Sequence, residues 1–188
     1  MYTDLKDEEL YQIYMDGDSG ALEELLARYR EELILFLLGY VKNYDDAEDI
    51  MMDAFVVIIS RKNRFDSKSS FKTWIYGVAR NLAKVHIRKT LIYGISLNEE
   101  DESSVPDNDT QDSIVLQEEK QKIYDALNQL PMQYREVLYL VFFADMNNKE
   151  VSKALRKNEK QVYNMLFRAK QKLKEILSVD TDDISSLM

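Results

Sequence analysis

The sequence predicts an all-α protein with two small helical domains joined by a flexible acidic linker. Only 5 glycines and 2 prolines occur in 188 residues, so few positions interrupt a helix. Apolar residues recur every three or four positions over long stretches, which is the period of a helix with one buried face. Residues 96–117 are instead rich in Asp, Glu and Ser and bury too little apolar surface to fold. The predicted organisation is a first domain over residues 1–95, the linker over 96–117, a second domain over 118–177 and a disordered tail over 178–188.

The first domain opens with three predicted helices. Amphipathic patterns cover Leu5 to Met15 and Ala21 to Val41, and the turn sequence Asp16-Gly17-Asp18 separates them. Asp45 is the predicted N-cap of the third helix, because Glu48 follows three residues later at the spacing of a capping box. The third helix is expected to bury an apolar stripe, which consists of Ala47, Ile50, Ala54, Val57 and Ile58.

On the other side of the third helix, three carboxylates form an acidic ridge. Asp46, Asp49 and Asp53 follow the i, i+3, i+7 spacing of one helix face. The pattern alone favours a solvated face whose acids lie near the positive end of the helix dipole. A docking surface for a basic partner is the second interpretation. A carboxylate metal site is the third, although one straight helix would supply every ligand and no histidine completes the shell.

The residue types that usually form nucleophilic catalytic sites and thiolate metal sites are scarce in this chain. The chain has no cysteine, and its single histidine, His86, has no candidate nucleophile beside it. The sequence therefore predicts no catalytic residue, no metal site and no cofactor. Residues 1–10 are acidic and polar, so no signal peptide is predicted, and apolar runs such as Leu33 to Leu38 are far too short to span a bilayer. We expect a cytoplasmic protein that does not insert into membranes.

A strongly cationic segment follows the third helix. Residues 61–93 contain nine basic side chains and one acidic side chain. Aromatic rings beside cations are typical of single-stranded DNA binding, in which bases stack and phosphates are neutralised. Burial in the core is the more ordinary explanation of Phe71 and Trp74. The predicted buried face is Phe71, Trp74, Ile75, Val78 and Leu82, and the predicted cationic surface is Lys72, Tyr76, Arg80, Lys84, Arg88 and Lys89.

Two helices joined by a tight turn dominate the second domain. Asn147 with Glu150, and Asn158 with Gln161, have the spacing of capping boxes, so a helix begins at each. Only two residues separate the helices, as in a helix-turn-helix. The outward residues mix cations, amides and aromatics, which can neutralise phosphates and read base edges in the major groove. A helical hairpin that merely packs is the alternative. The predicted core-facing residues are Val151, Ala154, Leu155, Val162, Leu166, Ala169 and Leu173.

Charge is unevenly distributed along the chain. The net charge is −9, which makes the protein as a whole a poor binder of nucleic acid. Residues 149–175, however, contain nine basic and three acidic side chains, whereas residues 94–119 contain nine acidic side chains and no basic ones. An acidic segment therefore separates two cationic segments, one in each predicted domain, as expected of two DNA-facing surfaces.

Five segments, taken in order, resemble a known family. The five segments are DEELYQIYMDGDSGALEELLARY, DAEDIMMDAF, FKTWIYGVARN, LPMQYREVLYL and NEKQVYNMLFRAKQKL. The resemblance covers nearly everything from Asp7 to Leu177 and is to the extracytoplasmic function (ECF) group of bacterial RNA polymerase sigma factors, the minimal two-domain branch of the sigma-70 family. The turn of the helix-turn-helix has Arg156 where glycine is usual in that family. Other departures occur at Met52, Val85, Gln161 and Met165.

The resemblance implies a role for each surface. The cationic segment would open the minus-10 element and hold its displaced strand, with the polar loop 66–70 accepting a flipped base. The second helix of the helix-turn-helix would read the minus-35 element in the major groove. The implied polymerase-binding residues are Asp46, Glu48, Asp49, Met52 and Asp53. The implied minus-10 residues are Arg61, Arg64, Lys68, Lys72, Trp74, Tyr76, Arg80, Asn81, Lys84, Val85 and Arg88. The implied minus-35 residues are Lys149, Lys160, Gln161, Tyr163, Asn164, Phe167, Arg168 and Lys172, of which Lys160, Gln161 and Lys172 are assigned to phosphates.

The implied function is that of a transcription initiation factor without enzymatic activity. Its expected partners are core RNA polymerase, contacted at the clamp coiled coil and the flap, promoter DNA and an anti-sigma protein; no small-molecule substrate is expected. Two other functions fit parts of the pattern. A stand-alone helix-turn-helix regulator would bind spaced operator half-sites tightly without polymerase. A carboxylate-metal nuclease would use Asp46, Asp49 and Asp53 with magnesium.

Overall fold

The described part of the chain is helical apart from its turns and loops, so the predicted all-α fold class is confirmed. A computed structural model describes residue 2 and residues 4–41, 43–60, 65, 69–93 and 125–185, with side chains as far as Ser178. Of the helices in these ranges, none combines the length and apolar composition needed to cross a membrane. The helices are α1 (Asp7–Met15), α2 (Ser19–Leu38), α3 (Tyr44–Ser60), α4 (Phe71–Tyr93), α5 (Met132–Phe142), α6 (Asn148–Leu155) and α7 (Glu159–Ser185).

Helices α1 to α4 form the N-terminal unit. Helix α2 packs against α1 and α3, and α4 packs against α3, so the apolar stripes of all four helices meet in one core. Aromatic rings close one end of this core, because the Tyr11 ring centroid lies 5.7 Å from that of Phe71 and 5.6 Å from that of Trp74. The predicted turn between α1 and α2 is present. Its Gly17 has a φ of 113°, a conformation that glycine adopts without a Cβ clash.

The beginning of α3 differs from the prediction. Asn43 caps the helix, since its Oδ1 accepts hydrogen bonds from the backbone N–H groups of Asp45 (2.7 Å) and Asp46 (3.2 Å). An asparagine just before the first turn satisfies these otherwise unpaired donors. Asp45 lies inside the first turn. The prediction of Asp45 as the N-cap was therefore wrong.

Helices α5, α6 and α7 form the C-terminal unit, in which α7 packs against both of the others. Both predicted capping boxes are present, with Asn147 and Glu150 at the start of α6 and Asn158 and Gln161 at the start of α7. Between them Arg156 adopts the left-handed conformation (φ 53°, ψ 49°), which ends α6 and turns the chain sharply. The predicted helix-turn-helix is confirmed.

Helix α7 is longer than predicted. The sequence predicts disorder from Ser178 onward, whereas α7 continues to Ser185. Each residue added to an existing helix gains a backbone hydrogen bond, and no glycine or proline interrupts this segment. Polar composition was therefore a poor guide to the end of the helix. The predicted linker over 96–117 and residues 186–188 lie outside the described residues.

The two units pack against each other, which the sequence did not predict. Helix α4 of the N-terminal unit contacts α6 of the C-terminal unit. Three aromatic rings also meet across the boundary, since the Phe36 ring centroid lies 5.1 Å from that of Tyr76 and 5.4 Å from that of Tyr139. The Tyr139 hydroxyl donates a hydrogen bond to the Glu32 carbonyl oxygen at 2.7 Å. The packing brings one side of α4 against the helix-turn-helix.

Candidate nucleic-acid interface

One face of α7 presents polar and aromatic side chains to solvent. Tyr163 and Phe167 are 62% and 56% exposed, which distinguishes them from aromatic residues that fill a core. On the opposite face, Val162 and Ala169 are fully buried. This division leaves a whole helix face free to contact a partner. All the predicted minus-35 residues are exposed, namely Lys149 on α6 and Lys160, Gln161, Tyr163, Asn164, Phe167, Arg168 and Lys172 on α7.

The capping box fixes the N-terminal end of this face. The Gln161 side-chain oxygen accepts a hydrogen bond from the Asn158 backbone N–H at 3.0 Å, and Asn158 Oδ1 accepts one from the Gln161 N–H at 2.8 Å. The positive end of the helix dipole therefore lies beside Lys160, an arrangement that favours a phosphate. Further along, Lys172 pairs with Glu175 at 3.0 Å. Such an exposed pair is weak, so Lys172 remains available to an anion.

The exposed face of α3 combines acids with apolar side chains. Asp49, Met52, Asp53 and Val56 follow the spacing of one helix face, and all four are exposed. The exposed fraction is 46% for Met52 and 56% for Val56. Apolar side chains grouped with charges on a surface are typical of a protein-docking site rather than of a merely solvated face.

The other two acids of the predicted docking set have partners within the chain. Glu48 accepts a hydrogen bond from the Arg30 guanidinium of α2, and Asp46 Oδ2 lies 3.5 Å from His86 Nε2 of α4. These contacts join α3 to its neighbours. Within the ranges that the structure describes, no three His, Cys, Asp or Glu residues are grouped so as to hold a metal ion. The metal-site interpretation of the ridge therefore gains no support.

Two of the predicted minus-10 residues on α4 are buried. Tyr76 is fully buried and Arg80 is 8% exposed, so the expectation that both belong to an exposed cationic surface was wrong for this arrangement. Arg80 is covered by the C-terminal unit, whose Glu136 it pairs with, whereas Tyr76 also packs within its own unit, where its ring meets Phe36 and its hydroxyl donates a hydrogen bond to Glu32 Oε2 at 3.2 Å. Lys72 also faces that unit and donates a hydrogen bond to the Ala144 carbonyl oxygen at 3.1 Å. Of the other predicted residues, Lys84, Val85 and Arg88 are exposed, Trp74 and Asn81 are partly buried, and Arg61, Arg64 and Lys68 lie outside the described residues.

A buried carboxylate of the C-terminal unit holds Arg80. Glu136 of α5 is 4% exposed, and its Oε1 lies 3.0 Å from Arg80 Nε and 3.4 Å from Lys84 Nζ. The Tyr40 hydroxyl donates a hydrogen bond to the same oxygen. Burial, and then the charge of Glu136, raise the pKa of Tyr40, which keeps the hydroxyl protonated as a donor. Three groups of the N-terminal unit thus stabilise one buried acid.

Sequence reasoning missed the contribution of Glu136, Tyr40 and Arg135. Arg135 donates a hydrogen bond to the Gly39 carbonyl oxygen at 3.0 Å across the same boundary. The available signal was a pair of charged residues inside the apolar run of α5, because a buried charge requires a partner. Local pattern could not identify that partner, since Tyr40 and Arg80 lie 96 and 56 residues away from Glu136.

An apolar groove of about 520 Å³ lies on the C-terminal unit between α5 and α7. Phe142 and Phe143 on its wall are 58% and 50% exposed. Lys170 Nζ lies 5.0 Å from the centroid of the Phe142 ring, which places a cation at the rim. Such a groove suits the apolar face of a partner helix. Leu127, Leu138, Leu173 and Leu177 also line the groove, together with Lys174 and Ser178.

Two family models match the chain, one in each unit. The model described as Sigma-70 region 2 matches residues 25–90. The model described as Sigma-70, region 4 matches residues 120–173. Together the two matches account for well over half of the chain.

Curated relatives are similar over nearly their whole length. The ECF RNA polymerase sigma factor SigM of Bacillus subtilis (strain 168) is 28% identical over 162 residues, which is 86% of this chain and 98% of SigM. The RNA polymerase sigma-H factor of Pseudomonas aeruginosa is 23% identical over 186 residues, which is 94% of this chain and 96% of that factor. Both alignments extend through the two units.

Solved structures share the fold. CnrH in complex with the cytosolic domain of CnrY aligns with a TM-score of 0.70 at 21% identity, over 93% of this chain and 98% of that chain. The sigma factor RpoE in complex with the anti-sigma factor NepR from Bartonella quintana aligns with a TM-score of 0.67 at 22% identity, over 85% of this chain and 98% of that chain. At these identities the comparisons establish the fold.

Proposed function

The chain belongs to the sigma-70 family, in its ECF group of RNA polymerase sigma factors, and from that premise we propose which of its surfaces performs each step of promoter-specific initiation. The proposed domains are region 2 over residues 1–95 and region 4 over residues 118–177, joined by the acidic linker over 96–117. The ranges matched by the two family models support these bounds. The protein acts in the cytoplasm, where it directs the polymerase to promoters and catalyses no reaction itself.

The exposed face of α7 is the single observation that best supports DNA recognition. Arg168 and Asn164 offer the donors and acceptor that pair with base edges in the major groove. Tyr163 and Phe167 offer apolar contact, for example with the methyl group of thymine. This face is assigned to the minus-35 element, with phosphate contacts from Lys149, Lys160, Gln161 and Lys172.

The minus-10 element is assigned to α4 and the segment before it. Trp74 and Asn81 line a cleft of about 330 Å³ between α4 and α6, next to the exposed Val85. A ring at the edge of a cleft beside cations suits a base that has left the stack. Arg80 reaches DNA only after the C-terminal unit, which holds it through Glu136, has moved away from α4, and Tyr76 is held in addition by Phe36 of its own unit. Lys72, Lys84 and Arg88, together with Arg61, Arg64 and Lys68 before α4, complete the assignment.

Core polymerase is assigned to two surfaces. The acidic and apolar face of α3, with Asp49 and Asp53 around Met52, fits the clamp coiled coil, to which Asp46 and Glu48 contribute from the edge of that face. The groove between α5 and α7 fits the flap, because an exposed apolar channel suits a helix with one apolar side. Because both contacts belong to one chain, binding at one surface raises the effective concentration of the other at its own site, and the two together hold the factor on the polymerase.

An anti-sigma protein is the third proposed partner. The two solved structures that share this fold are complexes, CnrH with the cytosolic domain of CnrY and RpoE with the anti-sigma factor NepR. In this chain the exposed Phe142 and Phe143 form a binding site for an apolar segment of such a protein. Because the same groove is assigned to the flap, the two partners are expected to compete.

A DNA-capture experiment tests the proposal against the stand-alone regulator. Affinity-tagged protein is incubated with sheared genomic DNA of its host, with and without purified core polymerase, and the retained DNA is sequenced. We expect specific enrichment only when polymerase is present, in fragments that share two spaced elements. Enrichment of one palindromic site by the free protein, unchanged by polymerase, would instead identify a stand-alone regulator.

A further inference from the structure

The start of α4 forms part of the cleft that we assign to the unpaired minus-10 base. Ser69, Thr73 and Trp74 lie in the cleft wall, at the beginning of this helix. Phe71, in the same turn, is fully buried in the N-terminal unit. The shape of the cleft therefore depends on how firmly the first turn of α4 is fixed in its own unit.

Glu8 of α1 binds the backbone of this turn. Its Oε1 accepts a hydrogen bond from the Phe71 N–H at 2.8 Å, although the two residues are 63 positions apart in the sequence. The Ser70 hydroxyl oxygen accepts a second N–H of the turn, that of Thr73, at 3.2 Å. The first N–H groups of a helix have no acceptor within the helix, and a buried one requires an acceptor from elsewhere. The Glu8 carboxylate also lies at the positive end of the α4 dipole, where an acid is favourable.

Tyr11 extends the contact from α1 to the ring of Trp74. It follows Glu8 by three residues, so both side chains lie on one face of α1. The Tyr11 ring centroid lies 5.6 Å from that of Trp74 and 5.4 Å from that of Phe65, both in edge-on geometry. The Phe65 and Trp74 centroids are 5.3 Å apart. Directional ring contacts of this kind fix the orientation of a side chain as well as burying it. Helix α1 thus holds the α4 backbone through Glu8 and the Trp74 ring through Tyr11.

We propose that Glu8 is a positioning residue for the minus-10 element, because its carboxylate fixes the first turn of α4 and so sets which unpaired base the cleft accepts. The proposal rests on the proposed function, since it assumes that this cleft receives that base. Glu8 makes no contact with DNA and acts only through the Phe71 N–H. Without the bond the turn shifts, and a small displacement of binding groups removes the advantage of the correct base.

Base preference at the minus-10 element tests this role. Run-off transcription with core polymerase first identifies a minus-10 base whose replacement slows initiation by the wild-type protein about fivefold or more, the usual scale for one base in a specific site. The measured quantity is the ratio of the initiation rates on the two promoters at limiting protein. Glu8→Ala should lower this ratio at least about threefold. A merely destabilised variant has fewer active molecules, which lowers both rates equally and leaves the ratio unchanged.

Two conservative variants separate the hydrogen bond from the charge. Glu8→Gln keeps an acceptor oxygen at the same reach and should retain most of the wild-type ratio. Glu8→Asp keeps the charge but is one methylene shorter, so it loses the bond to the Phe71 N–H and should behave like Glu8→Ala. As a matched control, Glu23→Ala removes an exposed acid of α2 in the same unit and should leave the ratio unchanged.

Three results would overturn the proposal. The first is a wild-type ratio in Glu8→Ala. The second is the reverse order of the conservative variants, with Glu8→Asp like wild type and Glu8→Gln like Glu8→Ala, which would assign the effect to charge alone. The third is an equal fall in base preference at the minus-35 element, which α4 does not contact in our assignment. If Glu8→Ala does not fold, the comparison of Glu8→Asp with Glu8→Gln decides the question.

The same measurements separate this inference from the proposed function. If wild-type protein supports no initiation with core polymerase, the proposed function fails. If wild-type protein initiates with a clear minus-10 base preference and Glu8→Ala keeps that preference, only the role of Glu8 fails.

Discussion

Arg168 and Lys160 lie on the same exposed face of α7, but their side chains bind DNA in different ways. A guanidinium pairs with a guanine edge through two directed hydrogen bonds, whereas an ammonium neutralises a phosphate whatever the sequence. Arg168→Ala should weaken holoenzyme binding to minus-35 DNA by about 1–3 kcal/mol and remove promoter-directed initiation. Fluorescence anisotropy of labelled promoter DNA measures this loss. Core binding should be unaffected, and its loss would show that Arg168 belongs to the polymerase contact and that the assignment of this face to DNA is wrong.

Lys160→Ala should weaken binding to all promoters by a similar factor. One phosphate contact fewer should reduce the slope of log affinity against log salt concentration by about 0.9. Titrations of two promoters at several salt concentrations provide the measurement. A loss confined to one promoter, with an unchanged salt slope, would assign Lys160 to base reading instead.

Arg156 adopts a left-handed backbone conformation, which is strained for a residue with a Cβ. It stands at a position where glycine is usual in the family. Side chains with a Cβ cost about 1–2 kcal/mol in this conformation. Arg156→Gly should therefore be more stable than Arg156→Ala by about 1 kcal/mol, since both variants lose the guanidinium and differ only in the Cβ. Thermal unfolding of the two variants measures the difference. Equal or greater stability of the alanine variant would contradict the left-handed turn.

At this scale, contacts within a few residues were predictable and distant ones were not. The bonds between Asn158 and Gln161 follow from their spacing, because both ends of each bond lie in one helical turn. The contact between Arg80 and Glu136 joins residues 56 positions apart, and no local period encodes it. The burial of Arg80, which was expected on the surface, could for that reason not be predicted.

At the scale of one helix, the exposed face of α3 has the clearest separable role. Asp49→Ala combined with Asp53→Ala should weaken binding of the protein to core polymerase, because two charges are lost from a face that keeps its apolar residues. Surface plasmon resonance with immobilised core polymerase should show a loss of affinity of about tenfold or more. This loss corresponds to roughly 0.7 kcal/mol or more of binding free energy for each charge removed. The loss should diminish at high salt, which screens exposed charges.

A matched variant separates docking from net charge. Asp16→Ala with Glu23→Ala removes two exposed acids from the α1–α2 part of the same unit and should leave core binding unchanged. An equal loss in both double variants would mean that overall charge, not the α3 face, controls the association. Preserved binding in the α3 variant would place the polymerase contact elsewhere.

Helices were predictable as elements because apolar period and capping residues are both local. The period placed α1 and α2 to within three residues of their observed bounds and predicted the helix-turn-helix, and two asparagine caps were correct. Errors arose where two local signals competed. Asn43 and Asp45 are both good caps, and only the backbone geometry shows that Asn43 is used. At the other end of the chain, helix propagation extended α7 past the polar residues that suggested disorder.

For the whole molecule, the charge blocks predicted two cationic surfaces, while the packing between the units could not be predicted. That packing depends on a buried acid in α5, on ring contacts between Phe36 and Tyr139, and on the close approach of Gly77 to Ala154. Each contact joins residues far apart in the chain, so each looks ordinary within its own helix. The packing of the two units is a property of the assembled chain and changes which predicted DNA contacts are available.

The central claim is that one chain directs polymerase to promoters by reading two elements with two units. Run-off transcription of fragmented host genomic DNA by purified core polymerase, with and without this protein, tests it most directly when the 5′ ends of the RNA are sequenced. The account predicts new start sites that share two upstream elements at a fixed spacing and that disappear with Arg168→Ala. The absence of new start sites, with wild-type protein bound to the polymerase, would contradict it.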